Sequence, residues 1–510
     1  MTTPRTSLDS SSPVAPLAGR REWAALVVLM LAVTLLAVDG TVLFLAIPSL
    51  TADLAPTAGQ ILWIGDIYSF VLAGLLVTMG NLADRIGRKR LLLIGSIAFG
   101  AASLLAAFAP SAELLIAARA LLGLAGATIM PSTLSIIRNM FHDPAQRTRA
   151  IALWSAGAMA GAAVGPLVGG ALLEFFWWGS VFLLNVPVIV LVVGLGAWLL
   201  PESRSPVAGR IDLFSALLSV LAVVPVVFAI KQALSGGVGA AAVLAALLGA
   251  VAAVAFVRRQ RRLVTPLIDV ELFRIPAFSG AVAANGLSIF AFLGMLYFFS
   301  QYLQLVRGFS PFRAGLAEMP ATLASLAVVV VVGAALARLG RGRAIAVGLV
   351  IGAIGLAGLG VAEGLPGYLG IGLALAVIGL GTGLSMTLST DAVVSAVPAE
   401  RAGAASSISE TAYELGVALG IGVLGSLHTA IYRADLAIPS GTPAAQVAAM
   451  EDSLAHASSI MGEQEAPLLA LAQDAFTHAT QATAFVAAGL LALAAVVAWR
   501  LIPSEPIPRS

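Results

Sequence analysis

The sequence predicts an all-α polytopic membrane protein of fourteen transmembrane helices, built as two six-helix bundles with two further helices inserted between them. Three observations support this fold class. Hydrophobic residues make up 59% of the 510 residues and charged residues only 11%, whereas a soluble protein carries about 25% charged residues. The apolar residues occur in runs of about 20, the length that crosses a hydrocarbon core. Finally, a basic loop occurs twice, at corresponding places in the two bundles.

The apolar runs give the predicted spans in order. They fall at about residues 23–48, 61–82, 91–109, 112–134, 149–173, 180–200, 211–233, 239–257, 278–303, 313–336, 344–363, 369–391, 402–428 and 481–502. An even number of spans places both termini on one side. Nearly all Arg and Lys residues fall in the connections on that side, and the opposite set has only Lys231, Arg307, Arg313 and Arg433. Because basic loops stay in the cytoplasm, both termini are predicted to be cytoplasmic.

The repeated loop is GNLADRIGRKR at residues 80–90 and GAALARLGRGR at residues 333–343. The two copies follow spans 2 and 10, so the repeated halves are spans 1–6 and 9–14. The predicted division is therefore a tail at 1–22, a bundle at 23–200, a linker with two extra spans at 201–277, a bundle at 278–502 and a tail at 503–510. The second bundle includes an acidic outer loop at 432–478, which is either a solvated loop or a cation-attracting cover.

The first copy of the loop resembles the signature loop of the major facilitator superfamily. This resemblance implies that the chain has the fold of that superfamily. The resemblance implies that the loop latches the two halves together in one state of the transport cycle. The second copy has Ala337 where the first has Asp84, so only the first latch is expected to be complete. The implied latch residues are Gly80, Asp84, Arg85, Gly87 and Arg88.

Span 5 carries a glycine-rich motif that resembles the antiporter motif of the same superfamily. Its residues are Gly161, Gly165, Pro166, Gly169 and Gly170. Small residues at this spacing let another helix approach closely, and the proline permits a bend. The resemblance implies export in preference to uptake.

Acidic residues lie inside several spans. Asp39 lies in span 1, Asp66 in span 2, and Glu410 and Glu414 lie four residues apart on one face of span 13. Four unpaired carboxylates would cost roughly 10–14 kcal/mol on insertion scales, and no lysine in the spans is expected to offset them. One interpretation is that these acids are buried and either stay protonated or form hydrogen bonds with Ser and Thr neighbours. The other is that they line a negative cavity that takes up protons or cationic substrates.

Spans 1, 2 and 13 resemble the fourteen-span drug/proton antiporter family. The segments DGTVLFLAIP at 39–48, WIGDIY at 63–68 and ISETAYELG at 408–416 carry this resemblance. Glu410 stands where the family often has Asn, which is similar to the branch that exports quaternary ammonium compounds and dyes. Arg119 with Gly123 in span 4 resembles the family's R-x-x-x-G motif, so Arg119 is a candidate coupling partner of Asp39 unless it snorkels to the interface.

Aromatic and methionine side chains supply candidate walls for a cavity. Trp63 and Tyr68 flank Asp66 and are suited to holding a delocalised organic cation by cation–π contact. Flexible and aromatic residues adapt to ligands of varied shape, although at helical spacing such residues are more often core. The candidate cavity residues are Trp63, Tyr68, Phe290, Tyr297, Met386 and Tyr413.

Several chemistries are excluded by composition. The chain has no cysteine and four scattered histidines, so no metal site is expected. Neither of its two lysines, Lys89 and Lys231, follows a glycine, so a phosphate-binding loop for ATP is absent. We predict that the protein is not an enzyme, uses no cofactor and binds no nucleic acid.

The predicted function is proton-coupled efflux of lipophilic mono- and divalent organic cations such as quaternary ammonium biocides and cationic dyes. The alternative is a dedicated exporter of one endogenous metabolite, antibiotic or lipid. The predicted partners are the lipid bilayer, protons and organic cations. The predicted location is the bacterial cytoplasmic (inner) membrane, where the chain acts as a monomer.

Overall fold

The computed structural model describes residues 17–204, 212–236, 239–263, 266–397 and 401–504. Most of the predicted tails at 1–22 and 503–510, and parts of the predicted linker at 201–277, lie outside these ranges. The described residues form helices and short connections without a strand. Fourteen of the helices are long and apolar enough to cross a membrane, which confirms the predicted all-α fold with fourteen spans.

The membrane helices are numbered α1 to α14 in chain order. The first eight are α1 Arg20–Leu54, α2 Ala58–Ile86, α3 Arg88–Ala107, α4 Ala112–Met140, α5 Pro144–Phe175, α6 Ser180–Leu199, α7 Leu213–Gly236 and α8 Ala240–Gln260. The remaining six are α9 Pro276–Leu305, α10 Pro311–Leu339, α11 Arg341–Glu363, α12 Leu369–Ser395, α13 Ala404–Asp435 and α14 Ala466–Leu501. α13 is α-helical except for a π-helical turn at Gly420–Leu424.

Local sequence signals fix several helix ends. Thr57 and Gln60 form a reciprocal capping box at the start of α2. Ser310 caps α10 and is followed by a proline at the first helical position. The turns between α2 and α3 and between α10 and α11 are single glycines, Gly87 with φ +116° and Gly340 with φ +72°. Only glycine adopts these angles without strain, which explains why both repeated loops keep a glycine there.

The helices pack into two groups with one pair between them. α1 packs along α5 and α2 along α4, whereas α11 packs along α12 and α14. The two groups meet mainly through α5 with α10, α2 with α13, and α1 with α9. α7 and α8 form a hairpin, and α7 contacts both α2 and α13. Large apolar side chains such as Val330 and Trp198 point outward along these helices, where they face lipid.

The two repeated loops dock in the same way, which supports the proposed division into α1–α6 and α9–α14. The backbone N–H of Arg88 donates to the carbonyl of Ser203, just after α6, at 3.0 Å. The backbone N–H of Gly342 donates to the carbonyl of Pro503, just after α14, at 3.2 Å. Each loop therefore binds the chain segment that leaves the last helix of its own group. We call the face that carries Gly87 and Gly340 the basic face, and the opposite face the distal face.

The distal segment between α13 and α14 is more ordered than a solvated loop. Its two short helices are Ala444–Asp452 and Leu454–Ile460, and α14 already begins at Ala466, well before the predicted residue 481. Met450 is fully buried, and its carbonyl accepts a hydrogen bond from the Tyr432 hydroxyl at 2.8 Å. The helix at 444 starts after Pro443 without a side-chain cap. The segment at 436–465, called the distal cap below, packs over the ends of α1 and α14.

Candidate functional site

A buried ion pair lies within the first group of helices. The Arg119 guanidinium on α4 lies 3.2 Å from the Asp39 carboxylate on α1, and neither residue is more than 1% exposed. Asn185 on α6 donates to the other Asp39 oxygen at 2.8 Å and to the Ser103 hydroxyl at 3.1 Å. Arg119 also donates to the carbonyl of Ile64 at 3.2 Å. The charges are therefore paired and their remaining polar atoms are largely satisfied, as a buried pair requires.

This arrangement brings the predicted partners Asp39 and Arg119 together and rules out a snorkelled Arg119. Tyr68 lies with its ring 4.8 Å from the Arg119 guanidinium carbon. Tyr68 is itself only 4% exposed, so in this state its ring covers a protein cation. Asn185 was not a predicted site residue, because an amide at the start of a span gives little signal in sequence.

A second buried ion pair changes the account of Asp66. The ammonium of Lys231 on α7 lies 2.6 Å from the Asp66 carboxylate. The same ammonium lies 3.9 Å from the ring centroid of Trp63. Asp66 is fully buried and Lys231 is 7% exposed. The expectation that no lysine in the spans offsets the acids is therefore wrong, since Lys231 lies inside the bundle and not in an outer connection.

The ion pair of Asp66 lies against the π-helical turn of α13. A Cβ built on Gly422 would lie 3.1 Å from the Asp66 carboxylate oxygen and 3.3 Å from Cε of Lys231. A Cβ on the neighbouring Gly425 would meet the ring of Phe298 at 2.9 Å. π-helical turns inside α-helices often mark functional sites. Here the turn brings α13 into contact with both charged side chains.

Glu410 and Glu414 lie on α13 toward the basic face from this turn. Glu414 is 9% exposed and lies beside Ser69 of α2, whereas Glu410 is half-buried. Within the described ranges, no Arg, Lys or His side chain forms an ion pair with either acid. Of the four predicted acids, these two therefore lack a basic partner in this part of the chain, and Asp39 and Asp66 have one.

The candidate cavity residues separate into two groups. Tyr297 is fully buried, and its hydroxyl donates to the carbonyl of Ile61 on α2 at 2.8 Å. Tyr297 thus closes the contact between α9 and α2, and like Tyr68 it does not line an open cavity in this state. Phe290, Met386 and Tyr413 are half-buried and pack against the edge of the core, where a ligand cavity would have its wall.

The predicted latch loop makes all its observed polar contacts within the first group of helices. Arg88 pairs with Asp84, four residues earlier, at 2.7 Å. Glu202 accepts hydrogen bonds from the backbone N–H groups of Lys89 and Arg90 at 3.3 and 3.2 Å. None of these bonds reaches α9–α14 in the described residues. Gly80 packs on α4, with a built Cβ 3.5 Å from Pro131.

The second copy of the loop also has a carboxylate partner, which the sequence comparison of the two copies missed. Arg341 forms an ion pair with Asp391 of α12 at 2.8 Å. Asp391 lies far from Ala337 in sequence, so alignment of the two loops alone does not reveal it. The partner comes from another helix of the same half, whereas in the first copy it comes from the loop itself.

The glycines of the motif in α5 have two different neighbours. Cβ atoms built on Gly161, Gly165 and Gly169 would meet α1, at distances of 3.0 Å from Cα of Thr34, 3.3 Å from Cβ of Thr41 and 3.3 Å from Cβ of Val42. A Cβ on Gly170 would instead meet α10, at 2.7 Å from the carbonyl oxygen of Pro311. The motif therefore joins α5 to α1 within its half and to α10 of the other half.

Two further buried acids lie in α10 and α11. Glu318 is 4% exposed and lies beside Ser300, and Glu363 is 3% exposed. The carbonyl of Glu363 accepts hydrogen bonds from Tyr302 at 2.6 Å and from Arg307 at 3.3 Å. An acid within a long apolar run is the same signal that identified Asp39, so Glu318 could have been found from the sequence.

The two halves are closed against each other at the distal face. Gln304 of α9 donates to the carbonyl of Leu45 on α1 at 3.1 Å, and Asp452 of the distal cap accepts from the backbone N–H of Ala58 at 3.1 Å. Together with the Tyr297 bond to α2, these hydrogen bonds cross between the halves. All of them lie toward the distal face. We call these contacts and the glycine contacts of α2 with α13 and of α5 with α10 the distal seal.

Two helical halves that meet around buried charges and close at one face define a multi-pass membrane transporter. A family model described as Major Facilitator Superfamily matches residues 29–421, and the chain belongs to this superfamily. Its members are transporters, in agreement with the prediction that the chain is not an enzyme.

Several known proteins are similar to the chain over nearly its whole length. It is 46% identical over 481 residues to the multidrug efflux pump LfrA of Mycolicibacterium smegmatis, covering 94% of this chain and 95% of LfrA. It is 36% identical to the methyl viologen resistance protein SmvA of Salmonella typhimurium, covering 94% and 98% of the two chains. A crystal structure of a bacterial homolog of the human lysosomal transporter Spinster matches with a TM-score of 0.65 at 17% identity, covering 96% and 99% of the two chains.

Proposed function

We propose that the protein is a proton-coupled efflux antiporter for lipophilic mono- and divalent organic cations, including quaternary ammonium biocides and cationic dyes. The observation that carries this proposal is the pair of acids on α13. Glu414 lies beside Ser69 of the other half, and neither Glu414 nor Glu410 forms an ion pair in the described residues. Both acids lie on the helix that completes the distal seal. Ionisable groups that cost several kcal/mol in a membrane mark ion and substrate paths.

The surroundings of these acids suit an organic cation. Tyr413, Phe290 and Met386 are half-buried near α9, α12 and α13 and offer polarisable, adaptable surface. LfrA is named a multidrug efflux pump and SmvA a methyl viologen resistance protein. Methyl viologen is a divalent aromatic cation, so its chemistry matches a site with two carboxylates.

The proposed mechanism is competition between protons and drug within an alternating-access cycle. In the distal-closed state the acids are reached from the basic face, where an organic cation replaces protons on Glu410 and Glu414. Separation of α2 from α13 then exposes the site at the distal face, where protons replace the cation. A ligand shifts the equilibrium between the distal-closed and distal-open states only through the difference in its affinity for them. Because drug and protons compete for one site in this mechanism, export of the drug is coupled to import of protons.

We propose that the basic face, which carries the Arg85 and Arg338 loops, lies in the cytoplasm, because basic connections are retained there. The described chain begins and ends at this face, so both termini are proposed to be cytoplasmic, in the inner membrane of a bacterium. A single chain supplies both halves of the path, so we propose that it acts as a monomer.

Proton movement in inside-out vesicles tests the proposal. A lipophilic cation is added to vesicles that hold a pH gradient, and proton release is followed with the wild type and with Glu410→Gln and Glu414→Gln. We expect cation-triggered release in the wild type and its loss in the Glu414→Gln variant. These positions are better tests than Asp39 or Asp66, because neutralising either of the latter leaves a buried cation without its partner.

The matched control is Glu174→Gln, which neutralises an exposed acid at the end of α5. It should release protons like the wild type. Release that persists in both α13 variants would refute the assignment of these acids. Transport of only one metabolite, antibiotic or lipid, with no response to any organic cation, would favour the dedicated exporter.

A further inference from the structure

The Asp66 site already holds a cation that belongs to the chain. The Lys231 ammonium contacts the carboxylate of Asp66 at 2.6 Å and the face of Trp63 at 3.9 Å. A carboxylate beside an aromatic face is the arrangement that binds organic cations in proteins. The sequence pattern 63–68 predicts such a site for a substrate, and in the distal-closed state the side chain of Lys231 occupies it.

Lys231 comes from neither half of the transporter. α7 packs on α2 near Gly74, where the Ser219 hydroxyl donates to the Gly74 carbonyl at 3.0 Å. Toward the distal face α7 also meets α13, where a Cβ on Gly422 would lie 3.2 Å from Val227 and 3.3 Å from Lys231. The inserted hairpin therefore delivers the charged side chain of Lys231 to the seal between the halves.

Space for this side chain to move lies next to it. A cavity of about 260 Å³ opens at the distal side between α2, α7, α13 and the distal cap, and Lys231 and Trp63 both line it. Asp452 and Arg433 also line it, and Gln232 lines it beside Lys231. This cavity offers the lysine a polar place outside the Asp66 site.

We propose that Lys231 is a resident cation of the Asp66–Trp63 site, which an organic cation must displace in order to bind there. This inference rests on the proposed function and adds a specificity determinant to it. To displace Lys231, a substrate must bind the Asp66–Trp63 site more strongly than the tethered ammonium does. Large delocalised cations are therefore favoured over small ones, because they make more contact with the Trp63 ring. Displaced Lys231 moves into the distal cavity, and the site never holds an uncompensated carboxylate.

The chain has only two lysines, so the displacement can be measured in the wild type. The full-length protein in nanodiscs is treated with an amine-reactive acetylating reagent, and acetylation of Lys231 is quantified relative to Lys89 by mass spectrometry. Lys89 lies on the basic face, with its ammonium 2.7 Å from the Ala197 carbonyl, and serves as the internal reference. We expect methyltriphenylphosphonium to raise Lys231 acetylation at least threefold, and its uncharged analogue triphenylphosphine oxide to leave it unchanged.

Binding affinity gives the second measurement. At pH 8, where proton competition is small, Lys231→Met should bind methyltriphenylphosphonium at least fivefold more tightly than the wild type, with no gain for triphenylphosphine oxide. Lys231→Arg should stay within twofold of the wild type because it keeps the resident charge. The matched control is Gln232→Met, which alters the same helix and cavity without removing a cation. Addition of Asp66→Asn to Lys231→Met should abolish the gain.

The outcomes separate this inference from the proposed function. Unchanged Lys231 acetylation, or a Lys231→Met variant that binds the cation no more tightly while the wild type binds it, overturns the resident cation and leaves efflux standing. An equal gain for both probes overturns it as well, because a merely structural lysine would loosen the site for any ligand. No binding or proton release with any cation in any variant overturns both.

Discussion

The contact between α5 and α10 predicts how the distal seal can be weakened by a single methyl group. A Cβ on Gly315 of α10 would overlap the carbonyl oxygen of Pro166 and lie 2.9 Å from its carbonyl carbon. Both are backbone atoms, so no side-chain rotation relieves the overlap and α10 must move away from α5. Overpacking of this kind costs about 1–3 kcal/mol. If the added methyl group of Gly315→Ala destabilises the distal-closed state by about 1.4 kcal/mol, the ratio of distal-closed to distal-open molecules falls about tenfold.

The natural absence of cysteine makes this shift measurable by spin labelling. Ser49 on α1 and Leu365 after α11 are exposed at the distal face on opposite halves, and both can be replaced by labelled cysteine. Pulsed electron resonance then gives the short-distance and long-distance populations. Gly489→Ala is the control, because nothing lies within 4 Å of a Cβ at this position of α14. A population ratio that does not change in Gly315→Ala, or changes equally in Gly489→Ala, would refute the reasoning.

Three further predictions concern single side chains. Tyr297→Phe removes a hydrogen bond to α2, worth about 1 kcal/mol, and should shift the same label populations about fivefold toward distal-open; an unchanged ratio contradicts it. Asp39→Asn strands the Arg119 charge and should lower stability by roughly 3–5 kcal/mol in thermal unfolding, with less loss in Asp39→Asn/Arg119→Met; equal melting of the single variant and the wild type contradicts it. Burial opposes ionisation of Asp212 at the start of α7, but hydrogen bonds from Arg259 lower its pKa. Because the folded pKa is depressed, this contribution is present above the unfolded pKa of about 4 and is lost as the pH falls through the lower, folded pKa. Asp212→Asn should therefore lower the melting temperature more at pH 7 than at pH 3, and a deficit of equal size at both pH values contradicts it.

The sequence predicts the helices well because membrane spans carry a strong, local signal. Backbone groups in lipid must bond within the helix, so a run of about 20 apolar residues has few alternatives. The start of α14 was predicted too late, because residues 466–478 mix polar and apolar side chains and do not form an apolar run. Phe476 and Leu468 bury one face of that extension against the bundle, which is a tertiary effect.

The sequence identified most of the buried charged residues of the site, but not which of them form ion pairs with each other. Asp39 and Arg119 stand out because charges are rare in spans, and both lie in helices of one repeated half whose packing follows from the fold. Lys231 lies at the end of the predicted span 211–233, where a snorkelled lysine is the ordinary expectation. Whether it reaches Asp66 depends on how the inserted hairpin leans on α2, and no spacing within the chain specifies that contact.

The contacts of α7 indicate which half the lysine follows when the seal opens. On α2 the helix is held by the Ser219 bond to Gly74, and a Cβ on Gly74 would lie 3.7 Å from Cα of Val220. On α13 it makes apolar contacts near Gly422, and α13 is the helix that must leave. The Lys231–Asp66 ion pair also joins α7 to α2, and a buried ion pair is costlier to break than apolar contacts. We therefore expect α7 to stay with α2 as α13 withdraws. Lys231 then stays within reach of Asp66 through the transition, so it can return to the carboxylate when the substrate leaves at the distal face.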